Sequence, residues 1–271
     1  MREEERKKRR DPPVASPSAF LSTFDLPSLP GSATRPSSPP PPPRTTPPSA
    51  SLTPVHHAPT LAPSTSDPAP AWPPPLAPGF VSTGPARKRI VDAAGLAAWK
   101  AAPSYSSFIA FILHLNAAVK GVKTARVEGE EGGADPPPLS RGATALRSAL
   151  AGLATLVEAH PPSTAALRYG NPAFRDWHAS AVEAAPGILA GVLPLDAPTG
   201  LAEELAPYLT DALGNAARID YGTGHEAAFG ALLFALARVP GCLEPGDALG
   251  LVTVVFAGYV RLMRQVQTTY W

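Results

Sequence analysis

The most polar stretch in the apolar part of the chain is GNAARIDYGTGHE, residues 214–226, called the polar segment below. It holds two carboxylates, Asp220 and Glu226, and two closely spaced glycines. Backbone N–H groups at Gly222 and Gly224, at the start of a helix, would attract an anion such as a phosphate. Carboxylate oxygens are ligands that Mg²⁺ prefers. The residue types therefore predict a nucleotide site at the polar segment, with Asp220 and Glu226 as magnesium ligands.

The same residues also allow a purely structural interpretation. The segment has neither the lysine and spacing of a P-loop nor a dinucleotide fingerprint, and His225 with Glu226 lacks the second histidine of a zinc helix. In the structural interpretation Asp220 caps the turn and pairs with Arg218. Glu226 then stabilises the first helical turn, and His225 is a satisfied core donor. The residue types by themselves leave both interpretations open.

A second polar cluster, RYGNPAFRDW, occupies residues 168–177. Arg168 and Arg175 could clamp a phosphate or a carboxylate beside aromatic faces. The structural alternative makes Asn171 a helix cap and Trp177 a core residue. No serine, cysteine or histidine stands in a recognisable nucleophile motif, so covalent hydrolysis has no support.

The elements around these clusters are predicted to be helices, which gives an all-α fold class. Apolar residues recur at three- and four-residue steps before Gly121, and no stretch alternates long enough to indicate a strand. The last two helices, at about 225–239 and 247–270, are apolar around most of their circumference and belong at the centre of a bundle. The first apolar stripe contains Phe108, Phe111, Ile112, Leu115 and Val119, and the second contains Leu146, Leu150, Leu153 and Val157. Two more helices are predicted to begin at Asn171 with Pro172 and at Thr199.

The domain organisation follows from composition. Most of the 36 prolines lie before Arg87, in a part of the chain with few large apolar side chains. Such a segment cannot bury enough surface to offset its ordering entropy. We predict a disordered Pro/Ser-rich tail at 1–85 and one helical domain at 86–271.

Charge and apolar runs restrict the class of partner and the compartment. The formal net charge of +1 gives no general attraction to nucleic acid or to an acidic membrane. The apolar runs at 227–237 and 249–260 are shorter than the roughly 20 residues of a membrane helix, so both are predicted to be core helices. A single cysteine, Cys242, and a charged N-terminus indicate a reducing compartment without secretion. We expect a cytoplasmic protein, and the basic clusters at 6–10 and 87–89 are of the kind that also directs nuclear import.

Four segments resemble the phosphotyrosyl phosphatase activator family, whose members are activators of type 2A protein phosphatase. RIDYGTGHEAAF at 218–229 looks like the family signature, and RYGNPAFRDW at 168–177 looks like a second motif. YVRLMRQVQTTY at 259–270 resembles a third motif, and WKAAPSYSSFIAFILHLNAAVKG at 99–121 is similar to the opening of the family domain.

The resemblance implies a multi-helix bundle that binds ATP and Mg²⁺ in a cleft. The nucleotide-binding residues implied in this chain are Arg168, Asp220, Tyr221, Gly222, Thr223, Gly224 and His225. Family members bind the phosphatase catalytic subunit and, using ATP and magnesium, help it acquire an active metal centre. Their other reported activity is peptidyl-prolyl cis-trans isomerisation of a proline-containing peptide, for which the sequence names no catalytic residue.

The resemblance also carries an expectation about length. Family members continue with a Gly-rich, Trp-containing segment and further helices, whereas this sequence ends at Trp271. We therefore expect the domain to lack its C-terminal part. The alternative function under that expectation is a non-catalytic helical scaffold or an inactive fragment.

Overall fold

Helices account for most of the residues that the computed structural model describes, which are 68–122, 136–164 and 170–271. These residues belong to one compact unit, Thr60–Trp271. The helices are α1 (Ala93–Ala101), α2 (Pro103–Val119), α3 (Arg141–Ala159), α4 (Ala173–Val192), α5 (Leu201–Ala212), α6 (Thr223–Ala237), α7 (Ala248–Gly250) and α8 (Ala257–Tyr270). Within the described ranges the only strand-like feature is an isolated bridge between Asn215 and Asp220. The predicted all-α fold class is confirmed.

The middle of the unit is a series of helices that pack on their sequence neighbours. Helix α4 packs on α3 and α5, and α5 packs on α6. The predicted stripe of α3 is confirmed, since Leu146, Leu150, Leu153 and Val157 are all buried. Trp177 of α4 is fully buried, and its indole Nε1 donates to the carbonyl of Leu153 at 3.2 Å. Burying a side chain of this size contributes about 2–3 kcal/mol, so this contact is a main support of the α3 and α4 pair.

Helices α1 and α2 meet at a bend of 73°. Asp92 caps α1 by accepting from the backbone N–H of Gly95 at 2.7 Å, and α1 buries no residue. Helix α2 buries Phe111 and Leu115 as predicted. Ile112 was expected on the same face but is 39% exposed, because it lies one position beyond the buried stripe.

The C-terminal helices lie in the core, as predicted. Helix α7 continues through a π-helical stretch, Leu251–Phe256, into α8 without leaving the helical region. The stretch Pro245–Tyr270 has the length and mean hydropathy, 1.4, of a membrane span, and half of its most apolar window is buried inside the unit. Burial of Leu251, Val255 and Tyr259 in the common hydrophobic cluster identifies it as a core helix.

An extended segment, residues 68–86, runs over the helices and is called the strap below. Trp72 packs edge to face on Phe111 of α2, with ring centroids 5.4 Å apart. Further along, the N–H of Leu76 donates to the carbonyl of Arg238 at 2.8 Å, and the hydroxyl of Ser82 donates to the carbonyl of Gly200 at 3.0 Å. The packed unit therefore extends further toward the N-terminus than the boundary that we predicted at residues 85 and 86. A few large side chains anchor an otherwise proline-rich segment, which the average composition did not indicate.

Two details of α5 also differ from expectation. Thr199 was predicted to open this helix. The N-cap residue is Gly200 instead, which has a left-handed φ of 81° and gives the helix no side-chain cap. Acidic residues in the first turn, Glu203 and Glu204, complement the positive end of the helix dipole there. The strap lies against this turn, since the N–H of Thr83 donates to the Glu204 carboxylate at 3.2 Å.

Candidate functional site

The polar segment begins at the end of α5 and extends into the first turn of α6. The N–H of Asn215 donates to the carbonyl of Asp220 at 3.0 Å, and the N–H of Ile219 donates to the carbonyl of Asn215 at 2.8 Å. The side-chain oxygen of Asn215 also accepts from the N–H of Arg218 at 2.9 Å. These bonds close residues 215–220 into a compact turn, and Ile219 takes a positive φ of 52° inside it.

The glycines of the segment do different things. Gly214 has a φ of 101°, and a Cβ there would lie 2.9 Å from the carbonyl oxygen of Asp220. Gly222 is extended, with a φ of −172°, and a Cβ at Gly222 or Gly224 would meet nothing within 4 Å. The tight turn of the segment therefore depends on Gly214. The space beside Gly222 and Gly224 is open, as close approach of a ligand to the backbone requires.

Asp220 is paired with Arg218 in a bidentate arrangement. The Nε and a terminal nitrogen of Arg218 donate to the two carboxylate oxygens, the second at 3.2 Å. Both side chains are solvent-exposed, at 65% and 45%. The hydrogen bond from Arg218 lowers the pKa of Asp220, and the pKa of Arg218 is raised by the same contact. The pairing expected in the structural interpretation is confirmed, so the charge of Asp220 is already compensated.

His225 is held by the end of α5. Its Nδ1 contacts the carbonyl oxygen of Asp211, which fixes the tautomer with the proton on Nδ1, because a carbonyl can only accept. Its Nε2 lies 3.9 Å from a carboxylate oxygen of Asp220. The ring stacks on Tyr221 at a centroid distance of 5.8 Å and an angle of 16°. His225 is thus a satisfied donor in a protected position, with Nε2 facing Asp220.

Tyr221 and Glu226 form the part of the segment that faces α8. The hydroxyl of Tyr221 lies 3.1 Å from the hydroxyl of Tyr259 and 3.5 Å from the carboxylate of Glu226. The hydroxyl of Tyr259 donates in turn to the carbonyl of Ala212 at 2.7 Å. Burial raises the pKa of both Tyr221 and Tyr259, so both phenols keep their protons and act as donors.

Helix α6 begins beside this group without a side-chain cap. Gly222 precedes the helix, and Thr223 and Gly224 form its first two positions. Their N–H groups have no acceptor from a capping side chain, whereas the N–H of His225 donates to the carbonyl of Gly222 at 2.9 Å. Glu226 lies in the same first turn, as the structural interpretation expected.

The described part of the second polar cluster contacts the polar segment through Arg175. Arg168 lies outside the described residues. The Nε of Arg175 donates to the carbonyl of Ala216 at 3.0 Å, and a terminal nitrogen donates to the carbonyl of Ala217 at 3.4 Å. These bonds fix the backbone of the turn, so the clamp role considered for Arg175 gives way to a structural one.

Two other described residues of that cluster, Gly170 and Asn171, have structural contacts. Gly170 has a φ of 76°, and a Cβ there would lie 2.7 Å from Cγ2 of Ile219, so only glycine allows this contact with the polar segment. The N-cap residue of α4 is Pro172, without a side-chain cap, and the side-chain oxygen of Asn171, one position earlier, accepts from the N–H of Ala173 at 3.1 Å.

The described residues contain no group of three or more His, Cys, Asp or Glu side chains that could hold a metal ion. A magnesium site at Asp220 and Glu226 stays a prediction. The surroundings fit a cation carried in with a phosphate, since Mg²⁺ keeps several waters and needs only one or two carboxylates. Glu226 is the better placed of the two, because Asp220 is occupied by Arg218.

Sequence reasoning missed three residues next to the polar segment. Tyr259 and Asp211 contact it through the bonds described above. His178 of α4 has a buried Nε2 with no hydrogen-bond partner, and burial lowers its pKa. Tyr259 could have been found, because it opens the third motif at 259–270, but nothing in the sequence links Asp211 or His178 to this site.

The fold and the site together define the class of protein: an all-helical unit with a polar turn braced between three of its helices. A family model described as phosphotyrosyl phosphate activator (PTPA) protein matches residues 86–271. The chain therefore belongs to the PTPA family.

Individual relatives agree with this assignment. The chain is 33% identical over 183 residues to a serine/threonine-protein phosphatase 2A activator of Drosophila melanogaster, covering 68% of this chain and 43% of the relative. It is 32% identical over 188 residues to serine/threonine-protein phosphatase 2A activator 2 of Eremothecium gossypii, covering 69% and 50%. The chain thus spans about half the length of the curated relatives it matches.

A solved structure shows the same fold. The crystal structure of the PP2A phosphatase activator Ypa1 is similar to this chain with a TM-score of 0.61 and 25% sequence identity. The similarity covers 74% of this chain and 61% of the solved one.

Proposed function

We propose that this chain is a regulator of type 2A protein phosphatase that binds the phosphatase catalytic subunit. The observation that carries the proposal is the match of residues 86–271 to the PTPA family, together with relatives named as phosphatase 2A activators. Because the chain spans about half of those relatives, capture of the catalytic subunit is the first property to measure.

The binding test uses the full chain, immobilised, and a purified type 2A catalytic subunit. Retention of the catalytic subunit supports the proposal, and retention should increase when ATP and Mg²⁺ are added. A purified type 1 catalytic subunit serves as the control for specificity. Failure to retain the type 2A subunit, with or without nucleotide, contradicts the proposed partner.

We further propose that the polar segment receives the phosphates of ATP. Thr223 and Gly224 present N–H groups at a helix start that no side chain caps, and the space beside Gly222 and Gly224 is open. A helix N-terminus with free N–H groups favours an anion. When bound, the nucleotide would supply a metal-bridged triphosphate, and Glu226 would hold the magnesium ion.

Calorimetric titration with ATP tests this site and separates its two parts. Glu226→Gln should weaken ATP binding in the presence of magnesium by about tenfold and leave magnesium-free binding unchanged, since one charge-assisted contact is lost. Glu203→Gln is the matched control, because Glu203 also lies in the first turn of a helix, α5, away from the polar segment. Equal affinities of wild type and Glu226→Gln at saturating magnesium contradict the assignment of the metal ligand.

The alternative function is a non-catalytic helical scaffold. In that case the polar segment is a turn with a structural role alone. Its internal hydrogen bonds and the pair of Arg218 with Asp220 are consistent with that role too. The scaffold alternative predicts no ATP binding by the wild-type chain. ATP binding that Asp220→Ala weakens excludes it.

Prolyl isomerisation is a second proposed activity and rests on the family resemblance and on one surface feature. At the bend between α1 and α2 three half-buried aromatic rings meet: Trp99 lies 4.9 Å from Tyr105 and 6.4 Å from Phe108. Such a cluster could cradle a prolyl ring while its peptide bond rotates. A protease-coupled proline-peptide assay should show acceleration by the full chain and reduced acceleration by Trp99→Ala. No acceleration by the wild-type chain removes this activity.

For localisation we propose the cytoplasm together with the nucleus. Residues 87–89, RKR, are exposed, as recognition by an import receptor requires. A fluorescent fusion in which these three residues are replaced by alanine should lose its nuclear fraction.

A further inference from the structure

The hydroxyl of Tyr259 joins two parts of the chain that the polar segment depends on. Tyr259 is fully buried on α8. Its hydroxyl donates to the carbonyl of Ala212, the last residue of α5, at 2.7 Å, and lies 3.1 Å from the hydroxyl of Tyr221. One atom of α8 therefore contacts both the helix before the polar segment and the middle of the segment itself.

A count of hydrogens fixes the direction of these bonds. Each phenol has one hydrogen to donate. Tyr259 gives its hydrogen to the carbonyl of Ala212, so Tyr221 must donate to Tyr259. The contact of the Tyr221 hydroxyl with the Glu226 carboxylate, at 3.5 Å, is then a long hydrogen bond that shares the same hydrogen. The Glu226 carboxylate therefore keeps most of its lone pairs for a cation.

The rings extend the same connection into α6. The ring of Tyr259 stacks on Phe229 of α6 at 4.1 Å and 5°. On the other side of the hydroxyl contact, the ring of Tyr221 stacks on His225. Rotation or displacement of Tyr259 would thus disturb the first turns of α6 and the ring next to the open backbone at Gly222.

We propose that Tyr259 is a positioning residue, which holds Tyr221 and the polar segment in the geometry that receives the nucleotide phosphates and their metal ion. This inference rests on the nucleotide site proposed above. Tyr259 does not touch the open side of the segment, and it acts through Tyr221.

The test compares two tyrosines of α8 that lose the same group. Tyr270 is also buried, and its hydroxyl donates to the carbonyl of His160 at 2.7 Å, without contact with the polar segment. In the full chain, Tyr259→Phe and Tyr270→Phe each remove one hydroxyl that donates to a backbone carbonyl. A loss of stability that both variants share is the general effect of removing a buried hydroxyl. A change at the polar segment that only Tyr259→Phe shows is the specific effect of Tyr259.

The first readout is hydrogen exchange at the amides of Asn215 and Ile219, which are bonded within the turn and report its opening without any ligand. Tyr259→Phe should speed their exchange about fivefold, the factor for one net hydrogen bond, and Tyr270→Phe should leave it unchanged. Unchanged exchange in Tyr259→Phe overturns the positioning role.

The second readout is affinity for ATP with magnesium in a double-mutant cycle. Tyr259→Phe should weaken binding about fivefold. It should have almost no further effect in a Tyr221→Phe chain, because it acts through Tyr221. Additive effects of the two changes overturn the inference. A wild-type chain that binds no ATP overturns the proposed nucleotide site, and the exchange readout then shows separately whether Tyr259 holds the turn.

Discussion

At the scale of single residues, the two carboxylates of the polar segment have different surroundings. Asp220 is exposed and accepts two hydrogen bonds from Arg218, while Glu226 has only a distant phenol beside it. A carboxylate already compensated by a guanidinium gains less from a cation than one beside a neutral phenol. We therefore expect Glu226 rather than Asp220 to be the main magnesium ligand.

The first residue-scale prediction concerns Gly214. Gly214→Ala should lower the free energy of unfolding by about 1–3 kcal/mol, because alanine disfavours the φ of 101° and its Cβ would lie 2.9 Å from the Asp220 carbonyl oxygen. Gly152→Ala is the control, since a Cβ at this position of α3 meets nothing within 4 Å and alanine favours a helix. Urea unfolding of both variants measures the effect, and equal stabilities would contradict the conformational argument.

The second residue-scale prediction concerns pH. Burial lowers the pKa of His178 below 6.5, so the folded chain resists a proton that the unfolded chain takes up. The contribution of neutral His178 to the free energy of unfolding is complete above pH 6.5 and is lost as the pH falls below this value. Between pH 7 and pH 5 the wild-type chain should therefore lose more stability than His178→Phe, which cannot titrate. Parallel losses of the two chains in urea unfolding at both pH values would rule out His178 as the cause.

At the scale of elements, Asp247 fastens the start of α3 to the turn before α7. It is 3% exposed, and its two carboxylate oxygens accept from the N–H of Ser140 at 2.7 Å and of Glu244 at 2.8 Å. Ser140 caps α3 in turn, accepting from the N–H of Ala143 at 3.3 Å. One buried side chain thus satisfies N–H groups of two elements that are far apart in sequence.

The element-scale prediction follows from that arrangement. Asp247→Ala should cost about 2–3 kcal/mol of unfolding free energy, since it leaves two partly buried N–H groups without their acceptor. Asp92→Ala also removes a helix cap, but α1 buries no residue, so its cost should stay below about 1 kcal/mol. Thermal unfolding of the two variants gives the comparison. Similar losses of stability would mean that burial of the Asp247 side chain does not strengthen its hydrogen bonds.

At the scale of the whole molecule, the strap connects α2 to α5 and α6, which lie far from α2 in sequence. It contacts α2 through Trp72, the end of α6 through Leu76 and the start of α5 through Ser82. A segment with several separate anchors adds to the stability of the entire unit rather than to one helix.

The prediction at this scale is a global effect of Trp72→Ala. The half-buried ring of Trp72 packs on α2. Its loss should lower the melting temperature of the whole unit by about 4–8 °C, which corresponds to about 2 kcal/mol of unfolding free energy. Val81→Ala, in the same strap but 76% exposed, should change it by less than about 2 °C. A melting temperature of Trp72→Ala equal to that of wild type would show that the strap does not support the unit.

The sequence determined the features that depend on residues close together in the chain. Apolar spacing within 10 to 20 residues predicted α2, α3 and the core helices, because a helix face is set by steps of three and four residues. The polar segment was also visible, because its charged residues interrupt two apolar helices. Local composition failed at the strap, where three or four anchors outweigh many prolines.

Only the tertiary structure decided which groups meet. Arg175 was an open candidate until the fold brought it to the carbonyl of Ala216, and Tyr259 gained a role only through Ala212, 47 positions away. Two interior prolines, Pro186 and Pro207, lie inside α4 and α5, where local preference disfavours them. The physical reason is the same in each case: burial and hydrogen bonds between distant residues stabilise an arrangement that no local pattern encodes.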